Sequence, residues 1–136
     1  MVQFKTQIVI NQNNRQIVCT AHGKGKEHDF KLFKSSETKF LSLTKCLGDK
    51  GYQGINKIHA LSQVPHKKAR GKKLDKEQKR ENSQLASLRI VVEHIYRSLK
   101  IFRILSERYR NRGKRFGLRF NLIAAIYNYE LCLNTN

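Results

Sequence analysis

Leu85-Ala86-Ser87-Leu88-Arg89-Ile90-Val91-Val92-Glu93-His94-Ile95-Tyr96-Arg97-Ser98-Leu99-Lys100 places apolar side chains at 85, 88, 92, 95 and 99, and Phe102 continues the series. Steps of three and four put these residues on one side of a helix at 3.6 residues per turn. The spacing predicts a long amphipathic helix over about 75–100, headed by Asp75. With Glu93 at zero and 100° per residue, Arg89 falls at about −40°, Tyr96 at about −60° and Lys100 at about −20°, while the apolar stripe runs from about −80° to −200°. Glu93 therefore stands at the border of the buried face, beside basic and hydrogen-bonding groups. On residue types alone, Glu93 with Arg89 and Arg97 is either a solvated i,i+4 charge cluster, each pair contributing about 0.2–0.5 kcal/mol, or a metal-binding carboxylate beside a phosphate-binding strip.

Working outward, Arg115 to Leu131 predicts a second helix. It is richer in apolar residues (Phe116, Leu118, Phe120, Leu122, Ile123, Ile126) and suits an interior element. Asn111-Arg112-Gly113-Lys114 supplies the break before it. Upstream, Phe4, Thr6, Ile8 and Ile10 alternate with Lys5, Gln7 and Val9, the period of a strand. Gln12-Asn13-Asn14 is a turn former, and Gln16 to Ala21 reads as the return strand, broken by Gly23 and Gly25. A short helix is expected at Asp29 to Lys34. An apolar run, Phe40 to Leu47, leads into Gly48-Asp49-Lys50-Gly51-Tyr52-Gln53-Gly54, which holds a carboxylate at a strand tip. Ile55 to Leu61 reads as a short helix and Gln63 to His66 as an edge strand stopped by Pro65. The order β-β-α-β-α-β followed by long helices predicts a mixed α/β layer fold.

The 136 residues suit one domain and 39% of them are apolar, enough for a core. The chain carries 28 Lys and Arg against 10 Asp and Glu, a net charge of +18. The charge is concentrated. Residues 67–80 hold 8 basic and 2 acidic side chains, and residues 97–119 hold 9 basic and the single acid Glu107. Such blocks attract polyanions, and each neutralised phosphate strengthens binding by counterion release. Phe102, Tyr109, Phe116 and Phe120 are interleaved with the second block, as base-stacking or as core residues. An anionic membrane surface and a solvated charged face are the other readings of this charge. No run of about 18 apolar residues is present and Met1 to Gln7 has no leader-like apolar stretch, so a cytoplasmic location is expected. Cys19, Cys46 and Cys132 are odd in number, widely spaced and in apolar contexts, so a core placement without disulfides is expected. Cys19, His22 and Cys46 lack the C-x2-C spacing of a zinc site.

Asp49-Lys50-Gly51-Tyr52-Gln53-Gly54, followed by Arg89, Glu93 and Lys100 in the pattern R-x3-E-x6-K, resembles the second and third catalytic segments of DDE transposases of bacterial insertion sequences. His28 to Phe33, Pro65-His66-Lys67-Lys68, Arg89 to His94 and Phe102 to Leu105 resemble, in the same order, the branch related to the PIF/Harbinger nucleases. The resemblance runs from about Lys5 to Leu131. It implies an RNase H-like fold and a nuclease that cuts transposon ends and joins them to target DNA with two Mg²⁺ or Mn²⁺ ions. It also implies that Asp49 and Glu93 are metal ligands, and that Arg89 and Lys100 hold DNA phosphates or the terminal base. Arg97, Lys67, Lys68, Arg70 and Tyr52 complete the expected DNA-contacting set.

This chain departs from the family pattern twice. The family's first carboxylate lies on the opening strand of three that precede the first helix, and here two strands precede Asp29. Neither Asp29 nor Asp75 is placed to substitute. A tyrosine common three residues before the Arg is Ala86. The expectation is a single catalytic domain lacking its first strand, a remnant or one half of a split transposase, acting with the missing part or as a homo-oligomer. Two rivals are a noncatalytic basic nucleic-acid-binding protein and a basic structural protein of an RNA assembly.

Overall fold

The computed structural model describes residues 3–102 and 115–134. Contacts divide the chain into two compact units, one from His28–Ile90 and one from Met1–Glu27 with Val91–Asn136. The architecture is mixed α/β, as the element order predicts. Asn111 to Lys114 and Tyr109 lie outside the described residues.

In the unit that contains both termini, β1 (Phe4–Ile10) and β2 (Ile17–Lys24) form an antiparallel hairpin, with Thr6 opposite His22 and Gln7 opposite Ala21. The register shifts between Val9 and Ile10, which leaves Val18 as an exposed extra residue, a bulge. The Asn-rich turn forms as expected: Asn11 and Asn14 side chains accept from the backbone N–H groups of Asn13 (2.9 Å) and Gln16 (3.0 Å). Gly23 does not end β2 as the sequence suggested; it pairs with Lys5 inside the ladder.

The hairpin is stabilised by two helices, α2 (Lys76–Leu99) and α3 (Phe116–Asn134), because a two-stranded ribbon alone is marginal in water. Ile17, Ile95, Leu99, Phe116, Phe120, Ile123 and Ala124 form the core, flanked by Phe4, Ile8, Ile10, Val91 and Tyr127. Phe4 and Phe116 stack with ring centroids 4.6 Å apart. Asn128 ties α3 to β2 at both backbone groups of Ile17, accepting from its N–H and donating to its carbonyl, each at 2.9 Å.

Three readings of the apolar pattern are corrected here. Leu88 and Phe102 are exposed, so only part of the predicted α2 stripe is covered. α3 buries one face only, while Leu118, Leu122, Ile126, Tyr129 and Leu133 remain exposed; it is not an interior helix. Cys132 is exposed and Cys19 and Cys46 are half-buried, all as free thiols, so none is a fully buried core residue. Periodicity shows which residues share a face and does not show how much of that face meets a partner.

In the other unit, α1 (Asp29–Ser35) buries Leu32 and Phe33. Phe33 packs on Phe40 (6.2 Å) and edge-on to Tyr52 (6.3 Å). β3 (Cys46–Leu47) and β4 (Ser62–Gln63) pair in parallel, Cys46 with Ser62. The run from Phe40 thus yields a strand of two residues, and Leu41 and Leu43 are exposed. The expected helix at 55–61 is a single 3₁₀ turn, Ile55–Lys57, whose Ile55 is buried. β4 ends before Pro65, consistent with a residue that cannot donate to a ladder.

Candidate active site

Asp49 follows β3 directly and caps the 3₁₀ turn Lys50–Tyr52, its carboxylate accepting from the Lys50 N–H. Its Oδ2 lies 3.1 Å from Arg89 Nη2 on α2. Both side chains are partly solvated, so the pair adds at most about 1 kcal/mol of stability. Its consequence is orientation, since one carboxylate oxygen is held by the turn and the other by a guanidinium. The two later glycines of the motif have separate steric causes. A Cβ on Gly51 would collide with the Asp29 carboxylate, and Gly54 has φ +94°, a backbone region that L side chains rarely adopt. Tyr52 packs against Phe33, which makes it a support of this turn.

The next segment is tied to the start of α2. Asp75 and Gln78 exchange side-chain bonds to each other's backbone N–H, at 3.2 and 2.7 Å, a reciprocal cap. His66 exchanges two bonds with Asn82: its N–H donates to Asn82 Oδ1 (2.7 Å) and its carbonyl accepts from Asn82 Nδ2 (3.2 Å), while its ring meets Glu81. Gln53 donates to the Pro65 carbonyl at 2.8 Å. Lys67, Lys68 and Arg70 follow on an exposed, irregular segment.

In the unit that contains the termini, a cleft of about 600 Å³ is bounded by Phe4 and Thr6 of β1, by Glu93, Tyr96, Arg97, Leu99 and Lys100 of α2, and by Phe116 and Phe120 of α3. The floor is apolar. Glu93, Arg97 and Lys100 are exposed along its rim, one carboxylate followed along α2 by two cations. The Tyr96 hydroxyl donates to the Thr6 carbonyl at 2.9 Å and fixes α2 against β1. Sequence reading assigned Glu93, Arg97 and Lys100 and missed this wall; the period-two pattern that places Phe4 and Thr6 on one strand face was the available signal.

His22 lies behind this wall, edge-on to Phe116 and Phe120 (5.5 and 5.1 Å), with Nδ1 3.2 Å from Thr6 Oγ1. Burial pushes its pKa below the ordinary histidine value, partly offset by a hydrogen bond with Asn121. Because the folded value is the lower one, the unfolded chain takes up the proton first as pH falls. The neutral ring's contribution is complete above about pH 6.5 and is lost as pH drops through the folded value. Thermal melts are expected to show stability declining on acidification below about pH 6.5, and His22→Phe to flatten that decline.

The structure thus joins Asp49 to Arg89 in one unit, and Glu93 to Arg97 and Lys100 in the other. Among the described residues no group of three His, Cys, Asp or Glu side chains is clustered to hold a metal ion. No described helix is long and apolar enough to cross a membrane.

Comparison with known proteins bears on both halves. A family model described as DDE superfamily endonuclease matches residues 3–128. A probable transposase for insertion sequence element IS702 from Microchaete diplosiphon is 65% identical over 130 residues, covering 96% of this chain and 47% of that protein. The chain therefore spans about half the length of the curated relative it matches. No solved structure matches. Since the matched region contains the Asp49 turn and the Glu93 helix together, the chain belongs to the DDE superfamily of endonucleases, among the transposases of insertion sequences.

Proposed function

We propose that this chain is the part of an RNase H-like transposase nuclease that carries the second and third catalytic carboxylates, Asp49 and Glu93, and that it acts on transposon-end and target DNA. The observation that carries the reading is Glu93 with Arg97 and Lys100 on the rim of one cleft, within a family of endonucleases. Carboxylate oxygens are the donor type that Mg²⁺ and Mn²⁺ prefer, so the residue chemistry fits a divalent ion. The number of donors falls short, because no three such groups cluster among the described residues. A third carboxylate then comes from polypeptide outside them. When bound, paired ions supply activation of the attacking hydroxyl and stabilisation of the departing oxygen.

The remaining roles belong to this chain's own side chains. Arg89 holds the Asp49 carboxylate in one orientation. Arg97 and Lys100 neutralise phosphates beside Glu93, and Lys67, Lys68 and Arg70 supply further phosphate contacts. Tyr52 keeps the Asp49 turn seated.

Transposon-end DNA incubated with Mg²⁺ or Mn²⁺ tests the reading. Cleavage is expected when the chain is combined with the half of the IS702 relative that it does not match, and not from the chain alone. Cleavage by the chain alone, lost on Asp49→Ala or Glu93→Ala, would overturn the need for a third carboxylate from elsewhere. For DNA affinity, each lost phosphate contact removes about 0.9 from the slope of log K against log salt. Replacing Lys67, Lys68 and Arg70 by Ala is expected to flatten that slope by up to about 2.7. A normal slope with no cleavage in either arrangement supports noncatalytic DNA binding, a role compatible with an Asp49 carboxylate neutralised by Arg89.

A further inference from the structure

Two stretches that stand apart in sequence, His28 to Phe33 and Gly48 to Gly54, pack together in the fold. α1 lies against the turn that carries Asp49, and three of its side chains meet that turn at three positions. The Asp29 carboxylate rests on Gly51, so closely that atoms of Asp29 are the three nearest to the place a Cβ would take. Phe33 packs edge-on to Tyr52, with ring centroids 6.3 Å apart. The Phe30 ring is the group nearest the open side of Gly54. Gly54 is explained by its φ of +94°, but Gly51 has no positive φ. The Asp29 carboxylate is therefore the reason that position 51 takes no side chain.

The aim of the Asp49 carboxylate follows from how this turn is seated. Asp49 caps the turn, with one carboxylate oxygen accepting from the Lys50 N–H and the other meeting Arg89. The first of these contacts is made within the turn itself, so any shift of the turn carries the carboxylate with it. Asp29 is placed to prevent that shift. It begins a helix rooted by the buried Leu32 and Phe33, and its short side chain reaches the middle of the turn two residues beyond Asp49. Groups that orient a ligand from behind change metal affinity or activity by about 10–100-fold when removed, although they touch no substrate.

We propose that Asp29 is a positioning residue for Asp49: its carboxylate seats Gly51 and thereby fixes the direction in which the Asp49 carboxylate is presented. The proposal rests on the reading of Asp49 as a catalytic carboxylate. The seat depends on side-chain size rather than on charge. Asn fits it, whereas Ala leaves it empty and lets the turn move.

Two measurements test it. The first is cleavage of transposon-end DNA by the full chain combined with the unmatched half of its relative. Asp29→Ala is expected to lower kcat by about 10–100-fold and to leave KM for DNA within about twofold, with circular dichroism showing the variant folded. Asp29→Asn is expected to keep kcat within about threefold of the unmodified chain. Gly51→Ala is expected to lose about as much as Asp29→Ala, because the added methyl meets the Asp29 carboxylate. Asp29→Ala combined with Gly51→Ala is then expected to lose no more than Asp29→Ala alone, the non-additivity of groups in contact. The second measurement needs no cleavage. In the full chain, broadening of the Asp49 and Lys50 amide resonances by Mn²⁺ is expected to require about tenfold more ion after Asp29→Ala and no more after Asp29→Asn. Losses that add in the double variant overturn the proposal, as does an Asp29→Ala chain with unchanged kcat and unchanged broadening. Asp29→Asn as impaired as Asp29→Ala also overturns it, since charge and not the seat would then matter. Cleavage retained by Asp49→Ala overturns the reading beneath it, and the proposal with it.

Discussion

Glu93→Gln is expected to reduce metal-dependent cleavage of transposon-end DNA by on the order of 10³-fold or more, the scale of losing a group that acts only in the transition state. The substitution keeps the side chain's size and removes its negative charge, and therefore its ability to hold a divalent cation. Glu93 is exposed on the cleft rim, so the fold has no stake in its charge. DNA affinity is expected to stay within about twofold, because Arg97, Lys100 and the two basic blocks are untouched and the phosphate term dominates binding. The measurement is cleavage and binding side by side, with the chain combined with the unmatched half of its relative. Retention of cleavage within tenfold of the unmodified chain would remove Glu93 from the metal site. Asp49→Asn is the companion variant. It also weakens the pair with Arg89, so a loss of cleavage there without a loss for Glu93→Gln would point to the turn's orientation rather than to metal binding.

Leu99→Ala is expected to lower stability by about 2–5 kcal/mol, a large part of the total for a domain of this size. Leu99 is 1% exposed, ends α2, and sits in the cluster formed by Ile17, Ile95, Phe116 and Phe120. Removing its branched end takes apolar surface from the core and leaves a cavity that close-packed neighbours fill only in part. Leu88→Ala serves as the contrast: it belongs to the same sequence stripe yet is 43% exposed, so a cost well under that of Leu99→Ala is expected. Urea unfolding of both variants reads the difference. Equal costs would mean that α2 presents a different face to the core.

The contrast between Leu88 and Leu99 shows where sequence reading reaches its limit. Both fit the spacing of three and four, because spacing is a property of the helix. Whether each is covered depends on which distant segments of the chain pack at its level, and that is not a property of the helix. α3 repeats the point. Its apolar content on all sides suggested an interior helix, whereas the structure buries Phe120 and leaves Leu122 outside. β3 and β4 were hardest to read, since two-residue strands carry no periodicity and their parallel pairing joins Cys46 to Ser62 across a loop.

The candidate site was legible in its residue types and not in its pairings. Asp49 at a strand tip and Glu93 beside Arg97 and Lys100 followed from local spacing and from the family resemblance. The Asp49–Arg89 ion pair joins residues 40 positions apart, and the wall of Phe4, Thr6 and Phe116 beside Glu93 comes from two elements, β1 and α3, far from α2 in sequence. No local pattern encodes either.

What the sequence by itself determined was the hairpin and its Asn-rich turn, the long helix headed by Asp75 with Glu93 at its border, and the two basic blocks. Each depends on backbone sterics, hydrogen bonds or charge within a few neighbours along the chain. Only the tertiary structure decided which apolar faces are covered, which strand pairs with which, and which cation holds Asp49. Those outcomes depend on contacts between distant segments, where burial must outweigh the entropy of closing the loops between them.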